Sequence, residues 1–162
     1  MSASEQTLRP FEPIGVICTP FAEAQGTPIQ AALAKGAEGR VEVFGPFVEG
    51  LKDLDGFDRI WLIYRFDRAS TPRLLVTPFR DNVPRGVFAT RAPCRPNPIG
   101  ISSVRLVRID DNVLHVRDVD MLNRTPLLDI KPYAPQFDHF DVRRSGWLDN
   151  STDRTVADGR FK

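Results

Sequence analysis

Three segments concentrate the residues able to do chemistry: RAPCRPNPIGIS (Arg91–Ser102), DVDMLNRTPLLDIKPY (Asp118–Tyr133) and TPIQ (Thr27–Gln30). In the first, three prolines exclude a helix interior, because each removes a backbone donor and clashes with the preceding turn. The result is a rigid loop carrying two guanidinium groups, Arg91 and Arg95, whose planar forks suit carboxylate or phosphate. In the second, Asp120, Asn123, Asp129, Lys131 and Tyr133 are interleaved with apolar residues and interrupted by Pro126 and Pro132. Carboxylates and amides then emerge from a bent, fixed backbone, as a binding or catalytic shell requires. Each residue also has a plainer reading: Asx-turn capping for Asp120 and Asn123, a solvated pair for Asp129 and Lys131, and a turn position for Asn97 between its two prolines.

Arginine is distributed unevenly. Arg59 to Arg108 holds ten arginines, no lysine and no glutamate against Asp67 and Asp81, a local charge of +8 that leaves −7 on the rest of a chain whose net charge is +1. That block fits recognition of an anionic partner, or pairing with the acidic segments around it. Metal chemistry is poorly supplied: Cys18 and Cys94 have no CxxC spacing and only His115 and His139 add imidazoles. Both cysteines read as small part-buried residues, with Cys94 the alternative nucleophile because Arg91 and Arg95 would lower a thiol pKa. The loops GxGxxG, GxxxxGK[ST] and GxSxG are not written in the sequence.

The elements that must position these residues are short. Fourteen prolines and eleven glycines divide the chain into β-rich runs. The strand candidates are Ile14–Ile17, Arg40–Phe44, Arg59–Phe66, Leu74–Phe79, Gly86–Thr90, Ile101–Ile109 and Val113–Leu122. The last two are joined by Asp110, Asp111 and Asn112, which tolerate the positive φ of a tight reversal. Only Pro28–Gly36 reads as helical, with Pro at its start and Gly at its end. Seven strands in one domain call for a sandwich or a barrel, and closure removes exposed edges. The expected fold is therefore all-β: a compact, closed or nearly closed barrel over residues 1–148 with one short helix, followed by a polar tail over 149–162, loosely held or laid over a partner subunit.

With 162 residues, 41% hydrophobic and 27% charged, the composition is that of a globular domain. The longest apolar run, Ile60–Tyr64, is far short of a bilayer span, and MSASEQTLRP has neither a basic n-region nor an apolar h-region. A cytoplasmic protein with no membrane association is expected.

Four ordered blocks, PIGVICTPF (Pro13–Phe21), GLKDLDGFDRIWLI (Gly50–Ile63), GVFATRAPCRPNPIGIS (Gly86–Ser102) and VDMLNRTPLLDIKPY (Val119–Tyr133), resemble the TsaA-like family of S-adenosylmethionine-dependent tRNA (adenine-N6)-methyltransferases. The resemblance implies a non-Rossmann β-barrel that binds S-adenosylmethionine, normally as a homodimer, and methylates the exocyclic amine of threonylcarbamoyl-adenosine beside the tRNA anticodon. By motif position it implies cofactor contacts at Ile29, Gln30, Ala31, Asp67, Arg68, Arg91, Ile101, Asp120, Met121, Leu122 and Asn123. Around them, Asn97 could accept a hydrogen bond from the target amine and orient it in line with the methyl group. Arg95 would face phosphate or the threonyl carboxylate, and Lys131 and Tyr133 would perturb or relay the leaving proton. The sequence departs from the family pattern twice. Asn123-Arg124-Thr125-Pro126 stands where the family usually writes Asp-Gly-Thr-Pro, and Asp67 replaces a histidine. These departures keep two alternatives open, a non-catalytic S-adenosylmethionine-binding module and a methyltransferase acting on a small acidic acceptor.

Overall fold

The computed structural model describes residues 9–161. Most of the N-terminal stretch examined for a targeting signal, residues 1–8, and Lys162 lie outside the described residues. Among the described residues eight strands form: β1 (Gly15–Cys18), β2 (Glu38–Val43), β3 (Arg59–Arg65), β4 (Leu75–Val76), β5 (Arg85–Gly86), β6 (Ile99–Asp110), β7 (Val113–Arg117) and β8 (Thr125–Pro132). Six of them close into an antiparallel barrel in the order β1-β2-β7-β6-β3-β8, and β4 pairs with β5 as a separate ribbon.

Period-two alternation builds the barrel interior. On β3 the buried positions are Ile60, Leu62 and Tyr64, and on β6 they are Gly100, Ser102, Val104 and Leu106. With Ile17, Val41, Val43, Leu114, Val116, Val119 and Leu127, the side chains of Ile60, Leu62, Tyr64, Val104 and Leu106 form one core. Near one end the lining becomes small and polar. A Cβ on Gly100 would fall inside the ring of Tyr64, so glycine there makes room for the phenol. The β6–β7 reversal runs through Asp111 in the left-handed region, at φ 52°, as the Asp and Asn residues of that turn predict.

Several local expectations are corrected. Pro28–Gly36 is not a helix; only Ala31–Leu33 makes a single 3-10 turn, Pro28 pairs in an isolated bridge with Val156, and Lys35 and Gly36 enter the left-handed region. So short a segment cannot recover the cost of helix nucleation. Among the described residues the one α-helical turn is α1 (Pro135–Asp138). Leu74–Phe79 and Gly86–Thr90 shrink to the two-residue strands β4 and β5, the latter running into a 3-10 turn at Val87–Ala89. β7 stops at Arg117, because Asp118 turns the chain at φ 72°. β8, unread as a strand because of its prolines, closes the barrel. Pro126 stands opposite Val16 of β1, one residue before the first β3 partner, Leu127, and Pro132 is the last β3 partner, so neither proline interrupts the interior of the β3–β8 ladder.

The loop from Phe66 to Pro98 packs a second core of Val76, Val87, Ala92, Cys94 and Phe161. Cys94 is fully buried there, which excludes it as an accessible nucleophile. The C-terminal segment is not loose and folds onto its own chain. The Ala157 and Thr27 backbones pair, and the Arg160 guanidinium donates to the carbonyls of Pro78 (2.6 Å) and Asp81 (3.2 Å).

Candidate functional site

At the barrel end where β3 leaves and β6 enters lies a cleft of about 270 Å³. Its floor is Tyr64, Phe66, Ile99 and Ile101, and the Asp120–Leu122 segment beyond β7 forms one side. The loops around Ile29 and Arg91 and the C-terminal Ala157 and Phe161 form the other. Ten of the residues singled out from the sequence line it: Ile29, Gln30, Asp67, Arg68, Arg91, Arg95, Ile101, Asp120, Met121 and Leu122.

The centre of the site is a hydrogen-bonded chain. Ser102 Oγ donates to Asp120 Oδ1, and Tyr64 Oη lies 2.9 Å from Ser102 Oγ. Burial, reinforced by the Asp120 charge, holds the Tyr64 phenol protonated far above its ordinary range. Tyr64 is therefore the donor to Ser102, and the chain has one polarity. Burial pushes Asp120 up to about 7, against the opposing pull of the Ser102 bond, of backbone N–H groups including that of Ala31, and of the Arg91 charge. Arg91 Nη1 donates to Gln30 Oε1 at 2.6 Å, which fixes the guanidinium above the cleft. Arg68 Nη2 donates to Asn123 O at 2.7 Å and its Nε lies 3.3 Å from Asp67 Oδ1.

The other sequence-derived residues are dispersed. Ala31 faces a neighbouring cleft and reaches this one through its N–H. Asn123 is a clasp: its Oδ1 accepts from Thr19 N at 3.0 Å and its own N–H donates to Phe21 O at 2.7 Å. Arg124, where glycine is usual, holds the left-handed backbone at φ 69°. Asn97 is exposed and lines neither cleft; its carbonyl accepts from Ile99 N. Lys131 is exposed on β8, 3.0 Å from Asp129, and also lines neither. Tyr133 packs on Trp61 and lines the neighbouring cleft, of about 760 Å³. Arg95 spends Nη1 on its own loop, donating to Thr90 O (2.9 Å) and Ala92 O (3.2 Å).

Tyr64, Ser102 and Phe161 escaped the sequence reading. For Ser102 a signal existed: it is a polar residue at an inward position of an alternating strand, which calls for a buried partner. Among the described residues no group of three His, Cys, Asp or Glu side chains could hold a metal, and no helix is long and apolar enough to cross a membrane.

Relatives share both the sequence and the fold. A "Probable S-adenosyl-L-methionine-binding protein" of Pyrococcus abyssi is 54% identical over 154 residues, covering 93% of this chain and 84% of that protein. The Escherichia coli tRNA (adenine(37)-N6)-methyltransferase is 37% identical over 135 residues, 77% of this chain and 57% of the enzyme. The crystal structure of TrmO from Pseudomonas aeruginosa superposes with a TM-score of 0.71 at 39% identity, over 85% of this chain and 62% of that one. The chain thus spans about three fifths of the bacterial enzymes and most of the archaeal protein. The family model for the tRNA-methyltransferase O N-terminal domain matches residues 16–139, and the chain belongs to that family.

Proposed function

We propose that this chain is an S-adenosylmethionine-dependent methyltransferase acting on the N6 amine of an adenine beside the tRNA anticodon, with threonylcarbamoyl-adenosine as its acceptor. The observation that carries the reading is the placing of a part-buried carboxylate and a fixed guanidinium in one aromatic and aliphatic cleft. S-adenosylmethionine carries a cationic sulfonium, an ammonium, a carboxylate and a flat purine, and the residues present fit each of these. Asp120, with one oxygen committed to Ser102, turns the other to a cationic group or a ribose hydroxyl. Arg91 keeps Nη2 for a carboxylate. The Met121 backbone reads the purine edge, and Phe66, Ile101 and Leu122 enclose its faces. When bound, the cofactor supplies a methyl group whose transfer forms a nitrogen–carbon bond, leaves the carbon–sulfur electron pair on a neutral thioether and releases one proton from the amine.

Asn97 and Lys131 line neither cleft, so Arg95 and Tyr133 carry what remains of the acceptor-side assignment: Arg95 turns its free guanidinium nitrogens to an anion, and Tyr133 stands where the proton departs. A homodimer belongs to the same reading, supported by Leu75 of the β4–β5 ribbon and Leu74 just before it, exposed to solvent at 68% and 67%. A tRNA-directed activity places the protein in the cytoplasm.

Labelled S-adenosylmethionine incubated with total tRNA, followed by nucleoside analysis, tests the reading: label should appear in a methylated adenosine derivative. The second reading, a non-catalytic S-adenosylmethionine-binding protein, is favoured by the name and coverage of the Pyrococcus relative. It predicts a cofactor-dependent rise in melting temperature without label in tRNA. Label in a small acidic metabolite instead would redirect the acceptor.

A further inference from the structure

The cleft of about 760 Å³ shares a wall with the first: Ile29, Gln30, Phe79, Thr90, Arg91 and Phe161 line both. Between the two stand the Arg91–Gln30 pair and Ser102, which lines the larger cleft while donating to Asp120 in the smaller. Their electrostatics differ. The smaller cleft sets the carboxylates Asp67 and Asp120 among Arg68, Arg91 and Arg95; the larger is lined by Arg59, Arg80 and Arg91 and by no carboxylate. Its surface is aromatic. Trp61 and Tyr133 pack at 5.7 Å between ring centroids with an interplanar angle of 54°, and Trp147 is fixed by its Nε1 donating to Ala89 O at 2.8 Å. Phe88, also in the lining, is 77% exposed with no core to fill. Arg59 is fully engaged with Asp118 and Ser103, whereas Arg80 spends only Nε, on Thr152 O, and Arg91 only Nη1.

Aromatic platforms beside free guanidinium donors are the means by which proteins hold splayed-out bases of single-stranded nucleic acid. A cationic ligand belongs with Asp120, and an anionic flat one belongs here. We propose that the larger cleft is the acceptor subsite: it takes one unstacked purine nucleotide, its ring against Trp61, Tyr133 and Phe88, its anionic substituent against Arg80 and Arg91, and its exocyclic amine toward the wall shared with the smaller cleft. This inference rests on the reading of the smaller cleft as the methyl-donor site.

The two tryptophans of the chain, Trp61 and Trp147, both line the larger cleft, so intrinsic fluorescence reports on it selectively. Three 17-nucleotide anticodon stem-loops serve as probes on protein saturated with S-adenosylhomocysteine: one with plain adenine after the anticodon, one with threonylcarbamoyl-adenosine there, and one abasic there. The expected result is saturable quenching by the first two, at least tenfold weaker binding of the abasic probe, and at least fivefold weakening in Phe88→Ala and Tyr133→Leu. S-adenosylhomocysteine affinity by calorimetry should stay within twofold in both variants. A gain from the threonylcarbamoyl group would identify the anion held by Arg80 and Arg91 as its carboxylate, and equal binding of the two base-containing probes would identify it as phosphate. Equal binding of the abasic probe, indifference to both variants, or a sedimenting dimer that Phe88→Ala splits without changing RNA binding would overturn the inference. Failure of S-adenosylhomocysteine to bind at all would instead overturn the donor-site reading, while quenching by the RNA alone still decides the larger cleft.

Discussion

Tyr64 donates to Ser102 and Ser102 donates to Asp120, so one oxygen of this cleft-lining carboxylate is committed to a side-chain donor of the protein. Because burial lifts Asp120 to about 7, its charge is set near neutrality by the medium and by any ligand. The sign for folding follows: from about pH 4 to 7 the native state holds a proton that the unfolded chain has lost, so Asp120 makes stability fall as pH rises through that window. A cationic ligand needs the charged form, so binding acts in the opposite direction. S-adenosylmethionine affinity should rise with pH to a plateau above about 7 and fall roughly tenfold per unit well below it, with a proton released on binding. Calorimetry in buffers of different ionisation enthalpy measures both. Asp120→Asn should bind more weakly and flatten the profile, and a pH-independent wild type would remove Asp120 from the site. Arg91→Ala should weaken cofactor binding by about 1.5–3 kcal/mol, the scale of a charge-assisted hydrogen bond. Unchanged affinity in a folded variant would reassign Arg91 to the larger cleft alone.

The strands set these geometries through two close approaches. On β6, Gly100→Ala would drive a methyl into the buried Tyr64 ring and displace the first donor of the chain. The expected outcome is a lower melting temperature together with loss of cofactor binding, measured by calorimetry, whereas Ile101→Val one position on should be nearly silent for folding. In the C-terminal segment, Arg160 donates to Pro78 and Asp81 carbonyls, pairs with Asp158 at 2.7 Å and lies 5.6 Å from the Phe79 ring. Arg160→Ala should cost about 2 kcal/mol in denaturant unfolding and open the wall that Phe161 provides. The strand pattern of β3, β6 and β7 was legible because alternation there coincides with burial. β8 was not, because its two prolines mask a strand whose β3 ladder they leave uninterrupted. The docked tail was illegible for a related reason: its polar composition conceals Ala157, Phe161 and a guanidinium satisfied by backbone carbonyls. For the site, motif order located the cleft-lining residues, while Asn97 and Lys131, chosen by residue type, lie outside both clefts. Ser102 and Tyr64 depend on pairing across strands that no local spacing reveals.

Over the whole molecule the arginine block resolves into two populations. Arg59, Arg68, Arg85, Arg95 and Arg108 are tied to carboxylates or carbonyls of their own chain, and Arg80 is anchored through Nε to Thr152 O. Arg65 and Arg105 make no ion pair among the described residues, and Arg73 has only a 3.4 Å contact with Ser70 Oγ. The local excess of +8 is therefore partly structural, and its remaining charge faces solvent at Arg65, Arg73 and Arg105. If tRNA is the partner, its phosphates should meet these three, and binding should weaken steeply with salt because each neutralised phosphate releases counterions. Replacing any one of them by Ala should lower tRNA affinity and reduce the slope of log K against log salt by about one phosphate's worth, roughly 0.7–0.9, while leaving cofactor affinity unchanged. Arg85→Ala should behave differently, lowering stability through the lost Asp81 pair with little change in slope. Filter binding across a salt series separates the two classes. A slope indifferent to Arg65, Arg73 and Arg105 together would mean that the exposed charge serves some other surface, and the tRNA part of the proposed function would have to be withdrawn in favour of a small acceptor.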